Sequence, residues 1–262
     1  MSAVQRRVTI SRQGPSKPSG EGSSHAAQTW STIAAFLFGA LRLNAILVVG
    51  ALPLVLLCVL AADPLSSTPA LIVALYLAMP IIVAAFCAFR DAPAFEVGER
   101  LRAEGDAVVP SWWDGFSEYQ LLRPVLRTLR ATAVTTLRAT ALPMGAVLVL
   151  IVDAQWVLAQ SWGLVVAPAL FIAALLGLMT ALGVAALISE GADARTLVLV
   201  RTAAFAMLRS FPFTLLSLLV LGIGLLGLIW QPILCWALAS SLILYVVWAN
   251  TRWSIKPALR PA

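Results

Sequence analysis

Residues 210–251 read SFPFTLLSLLVLGIGLLGLIWQPILCWALASSLILYVVWANT, a run without one charged side chain. About 20 apolar helical residues cross the hydrocarbon core of a bilayer, so this stretch holds a whole hairpin, turning at Trp230 and Gln231. Working outward from it, the chain has four more uncharged runs, at 43–62, 64–89, 139–152 and 154–189. Divided at their Pro, Ser, Gly and Trp residues, these runs give six candidate spans near 43–62, 68–89, 139–160, 163–189, 212–230 and 232–250.

The cations fix an orientation for these spans. Arg6, Arg7, Arg12, Lys17 and Arg42 precede the first span, and Arg90, Arg100, Arg102, Arg123, Arg127, Arg130 and Arg138 lie between the second and third. Arg195, Arg201 and Arg209 follow the fourth, and Arg252, Lys256 and Arg260 close the chain. The opposite connections, Asp63 to Ser67, Ser161 to Trp162 and Trp230 to Gln231, hold no Lys or Arg. Basic loops stay cytoplasmic, which predicts both termini on that side.

Composition agrees, since 61% hydrophobic and 11% charged residues leave too little polar surface to coat a water-soluble globule. The net charge of +6 sits beside spans, where attraction to anionic cytoplasmic-leaflet lipids explains it without nucleic acid. Cys58, Cys87 and Cys235 lie inside spans at different depths and read as packed small hydrophobes, not as a disulfide framework or zinc ligands. Residues 1–27, rich in Gly, Pro, Ser and Arg, read as a disordered cytosolic tail. His25, the single histidine, falls in it without neighbours for catalysis or metal binding.

From the tail onward a unit recurs: a segment of helical periodicity, a Leu-Arg pair, then two spans joined by a short outer turn. The pairs are Leu41-Arg42, Leu137-Arg138 and Leu208-Arg209, with Pro53, Pro143 and Pro212 in or at the start of the following span. In the middle copy Arg123, Arg127 and Arg130 share one helix face, and Leu122, Val125, Leu126 and Leu129 occupy the other. Pro124 belongs in the first turn of this helix, after the aromatic entry Trp112-Trp113-Asp114-Gly115-Phe116. Two roles fit: a helix lying flat on the membrane, or a partner-docking surface of Trp112, Trp113, Phe116, Arg123, Arg127 and Arg130.

The nine tryptophans divide into an outer group, Trp156, Trp162, Trp230 and Trp236, and an inner group, Trp30, Trp112, Trp113, Trp248 and Trp253, as interfacial belts require. Ala173, Gly177, Ala181 and Ala185 recur every four residues and offer a smooth stripe for close helix packing. Gly222, Gly224 and Gly227 match the spacing of a dinucleotide fingerprint, but they lie in an apolar span without the strand that such a site needs. Pro80 and Pro168 are candidate kinks. Asn44, Ser240, Ser241 and Asn250 are candidates for hydrogen bonds between helices.

Asp153 is the candidate intramembrane polar site, roughly 21 Å along the helix from Ala139 at 1.5 Å per residue, in the outer third of span three. No catalytic motif, phosphate loop or carboxylate pair occurs in the spans, which also lack His, Lys and Glu, so neither an enzyme nor a cofactor is expected.

Four segments are similar to the YesL-like bacterial membrane proteins, a domain-of-unknown-function family often found beside carbohydrate ABC importers. They are Phe38-Gly39-Ala40-Leu41-Arg42-Leu43-Asn44 leading to Leu52-Pro53, Ala74-Leu75-Tyr76, the loop Trp113 to Tyr119, and Leu208-Arg209-Ser210-Phe211-Pro212. The chain departs from that pattern in a longer loop at 90–110 and in Leu54-Val55, where Thr-Gly is usual. The resemblance spans roughly residues 30–250 and implies an accessory component of sugar uptake in a bacterial cell membrane, docking importer membrane subunits. The other reading is a stand-alone transporter or permease. Against a permease, Glu190-Gly191-Ala192-Asp193 begins like a Glu-Ala-Ala coupling motif but has Thr196 where that motif has Gly.

The expected fold is all-α, a polytopic membrane protein of six transmembrane helices in three hairpins with amphipathic cytoplasmic helices. Residues 28–256 form the six-span domain and 257–262 a short cytosolic tail.

Overall fold

The computed structural model describes residues 21–60, 67–91, 122–192 and 194–259, and among these every regular element is helical. In chain order they are α1 (Glu21–Gly50), α2 (Leu52–Leu60), α3 (Thr68–Asp91), α4 (Leu122–Leu158), α5 (Gly163–Ser189), α6 (Thr196–Arg209) and α7 (Phe211–Trp230). The last element is composite: a single turn α8 (Pro232–Leu234), a π-helical turn (Cys235–Ala239), α9 (Ser240–Ile255) and a closing 3-10 turn (Lys256–Leu259). Four helices, α3, α4, α5 and α7, are long and apolar enough to cross a membrane, or five if the bent pair α1–α2 is one span. The expected tail differs at its end, because α1 begins at Glu21 and takes in residues 21–27; residues 1–20 lie outside the described part.

Span one is not a straight helix over 43–62. The chain bends by 81° between Gly50 and Leu52. Pro53 has no N–H to give the Val49 carbonyl and its ring crowds that carbonyl, so α1 stops and α2 restarts with the proline in its first turn. Gly50 permits the bend to sit against α3, since a Cβ there would fall 2.5 Å from Ile81 Cγ1. Pro80, Pro143 and Pro168, by contrast, lie within continuous helices.

A second correction concerns the middle amphipathic segment. It is not a separate helix lying flat, because α4 runs unbroken for 37 residues from Leu122 through Arg138 to Leu158. At 1.5 Å per residue that is about 55 Å, against a hydrocarbon core of about 30 Å. Only the third copy keeps its amphipathic segment as a separate helix, α6, set off from α7 at Ser210.

The C-terminal halves of α3 and α5 form the centre. Residues 78–89 and 181–189 are buried on every side, as a helix enclosed by others must be. α1, α4, α6 and α9 pack around them. The small-residue stripe serves this packing: Ala181 and Ala185 are fully buried, and a Cβ on Gly177 would sit 2.8 Å from Val147 Cγ2 of α4. Trp30, Trp156, Trp162, Trp230 and Trp253 are exposed as belt residues are. Trp248 is not; it is buried in an aromatic cluster with Phe89 at 5.8 Å and Tyr245 at 5.8 Å, and Tyr245 meets Phe36 at 5.2 Å.

Candidate functional site

Polar groups inside this bundle concentrate in two places. The first is a joint between α1 and the last helix. Asn44 is 1% exposed, and its Nδ2 donates to the Ala237 carbonyl at 3.0 Å. Its Oδ1 accepts from the Ser241 backbone N–H at 2.6 Å and from Ser240 Oγ at 2.7 Å. Ala237 C=O and Ser241 N–H are the pair that an uninterrupted α-helix would join to each other. The π-turn at Cys235–Ala239 shifts the local register, with the Ser240 N–H reaching back to Cys235 C=O, and the Asn44 carboxamide bridges the gap as a substitute peptide group. Ser241 Oγ adds a bond to Ala40 C=O at 2.9 Å. Asn250 Nδ2 donates to Ser217 Oγ at 3.2 Å, joining α9 to α7.

The second place is where α3, α5 and α9 end together. Arg90 donates to the Ser189 carbonyl and clasps Asp91 through Nε at 2.6 Å and Nη2 at 2.8 Å. Arg252 Nε lies 2.8 Å from Glu190 Oε1, and its guanidinium carbon sits 5.1 Å from the centre of the Trp248 ring. Glu190 is brought there by the end of α5. Gly191 takes φ +81°, and the Ala192 N–H returns to Leu187 C=O, a left-handed cap that glycine adopts without a Cβ penalty. The Glu190-Gly191-Ala192 sequence is thus a helix stop with its acid turned into the bundle, its side chain only 13% exposed.

Of the residues singled out in the sequence, Arg123, Arg127 and Arg130 are all exposed on the first turns of α4, and Pro124 is in the first turn as expected. Val125 is buried and Leu129 half-buried, so the predicted apolar face does meet the core there, while Leu122 and Leu126 stay exposed beside the arginines. Trp112, Trp113 and Phe116 lie outside the described residues. Asp153 is exposed five positions before the end of α4, at the edge of the face that buries Ala154 and Val157.

An open groove of about 450 Å³ between α2, α3 and α4 is lined by hydrocarbon, including Pro53, Leu57, Pro69, Val73, Leu77 and Leu148. It offers none of the convergent polar groups that would orient a hydroxyl-rich solute. Among the described residues no group of His, Cys, Asp and Glu is placed to hold a metal ion. Gly222, Gly224 and Gly227 lie on α7, where Gly224 packs under Ile243 and Gly227 under Cys235, a packing role without a phosphate loop.

Sequence reasoning missed the cluster where α3, α5 and α9 end because its three parts, Arg90-Asp91, Ser189-Glu190 and Arg252, lie about 60 to 160 residues from one another, and Glu190-Gly191-Ala192 invites comparison with a coupling motif instead of an ion pair. No protein-family model, curated protein or solved structure matches the chain.

Proposed function

We propose that this chain crosses the membrane six times, as three hairpins with both ends cytoplasmic, and serves as a non-enzymatic accessory subunit of a bacterial carbohydrate ABC importer. The span count is supported by adding the bent pair α1–α2 and the interrupted helix Pro232–Ile255 to the four uninterrupted spans. The importer assignment rests on the YesL-like segments. The observation that carries a docking role is the basic end of α4. If the later, apolar part of α4 fills the bilayer, about 25 Å of the same helix extends toward the basic end, packed on the core through Val125 and bearing exposed Arg123, Arg127 and Arg130 beside exposed Leu122 and Leu126. An exposed face of arginines and leucines suits an acidic, partly apolar partner surface.

The test is recovery of importer membrane subunits with the tagged protein after crosslinking in native membranes. Replacing Arg123, Arg127 and Arg130 together by Glu, or Trp113 and Phe116 by Ala, is expected to release the partner while the protein remains inserted. Recovery of no importer subunit with the unaltered protein would remove this reading.

A further inference from the structure

α6 has two apolar faces. Leu199, Ala203, Ala206 and Met207 are buried against the bundle, whereas Leu197, Val198, Phe205 and Leu208 are exposed on the opposite side, between 53% and 71% accessible. A helix at a water boundary would carry polar residues there. The same face carries Arg201, flanked by exposed Arg195 and Arg209, and no Asp or Glu occurs from Arg195 to Arg209.

The position of α6 says what covers that face. Gly183 and Ala203 approach so closely that a Cβ on the glycine would lie 3.1 Å from Ala203 Cβ. Gly183 is six residues before the end of α5, so the middle of α6 rides about 9 Å in from that end. Amphipathic helices in a leaflet sit about 5–10 Å into the boundary between headgroups and acyl chains. The joint to α7 holds α6 at this level: Ser210 Oγ donates to Ala206 C=O at 2.6 Å and Thr214 Oγ1 to Met207 C=O at 2.8 Å. Beyond the joint Phe211, Phe213 and Leu215 of a candidate span are exposed as well.

We infer that the outer face of α6 is a binding site for anionic phospholipid of the cytoplasmic leaflet, acyl chains lying on Leu197, Val198, Phe205 and Leu208, one phosphate on Arg201, and neighbouring phosphates on Arg195 and Arg209, about 9 and 12 Å along the helix. Depth selects a lipid over a cytosolic protein, and three cations in a segment that itself contains no Asp or Glu select an anionic headgroup over a zwitterionic one. The inference requires α7 to cross the bilayer and does not depend on the importer reading.

The test uses the full chain in bilayers doped with spin-labelled phosphatidylglycerol or phosphatidylcholine, reading the motionally restricted lipid fraction by electron paramagnetic resonance. The unaltered protein should prefer phosphatidylglycerol, and each of Arg195→Gln, Arg201→Gln and Arg209→Gln should lower that preference by up to about fivefold at low salt. Replacing Arg123, Arg127 and Arg130 by Gln should leave it unchanged, which separates this site from the docking face of α4. Equal association of both lipids with the unaltered protein, or a preference that survives in all three single variants, would overturn the inference. A photo-crosslinking residue at Phe205 supplies a second readout in native membranes: lipid adducts support the site, and protein adducts alone refute it.

Discussion

Asn44 illustrates how a single carboxamide can stand in for a stretch of main chain. A π-turn leaves backbone groups without their helical partners, and in hydrocarbon there is no water to satisfy them. The carboxamide of Asn44 offers an N–H to Ala237 C=O and its oxygen to the Ser241 N–H, so it fills the opening from a neighbouring helix. Hydrogen bonds between membrane helices contribute about 0.6 kcal/mol on average and about 1.7 at most, and Asn44 makes three. Asn44→Leu should therefore lower stability by about 1–3 kcal/mol. Asn44→Asp should cost more, because it removes the donor to Ala237 and buries an acid. Asn250→Ala, which loses one bond of 3.2 Å to Ser217, should cost least. Thermal unfolding of the three variants in one mild detergent checks this order, and an Asn44→Leu protein as stable as the parent would show that the bridge is incidental. Asn44, Ser240 and Ser241 were legible in the sequence as polar residues that a span must pair. Their arrangement was not, because two of the groups bound by Asn44 are backbone atoms and a π-turn leaves no signature in side-chain identity.

At the scale of the element, hydropathy located apolar stretches well and helix ends less well. The spans expected at 68–89, 163–189 and 212–230 correspond to Thr68–Asp91, Gly163–Ser189 and Phe211–Trp230. Arg138 marks where the apolar stretch of α4 begins, but an arginine does not stop a helix, so the 139–160 span is only the later part of Leu122–Leu158. Pro53 acts the other way, ending a helix inside an uncharged run. Trp248 was assigned to the interface by its position in the chain, yet it faces Phe89 across a helix contact that sequence separation conceals. Glycine packing gives a direct test of these contacts. Gly177→Leu forces side-chain atoms into Val147, so it should separate α4 from α5 at a cost of about 1–3 kcal/mol. Gly222→Leu should leave stability nearly unchanged, since nothing lies within 4 Å of a Cβ there. Equal losses from the two substitutions would mean that the α4–α5 contact is not set by Gly177.

For the whole molecule, the contacts between helices fix their relative directions. α1 runs antiparallel to the last helix, with Phe36 at Tyr245, Ala40 at Ser241 and Asn44 at Ala237. α3 runs parallel to it, because Phe89 meets Tyr245 and Trp248 while Arg90, Ser189, Glu190 and Arg252 gather at one end of the bundle. The arginines of α4 and α6 belong to the chain segments adjoining that end, and the turns at Ser161 and Gln231 belong to the other. If the cation-rich end is cytoplasmic, exposure to the outside is decided for each of these positions. In a variant with Cys58, Cys87 and Cys235 replaced by Ala, single cysteines at the exposed positions Ser161 and Gln231 should react with a membrane-impermeant thiol reagent in intact cells. Cysteines at exposed Arg123 and Arg195 should react only after the membrane is permeabilised. Gln231 is the discriminating position, since it lies between the two halves of the run 210–251. A protein in which Ser161 labels from outside but Gln231 labels only after permeabilisation would have its last two helices dipping into the bilayer and returning, and the six-span reading would give way to four crossings.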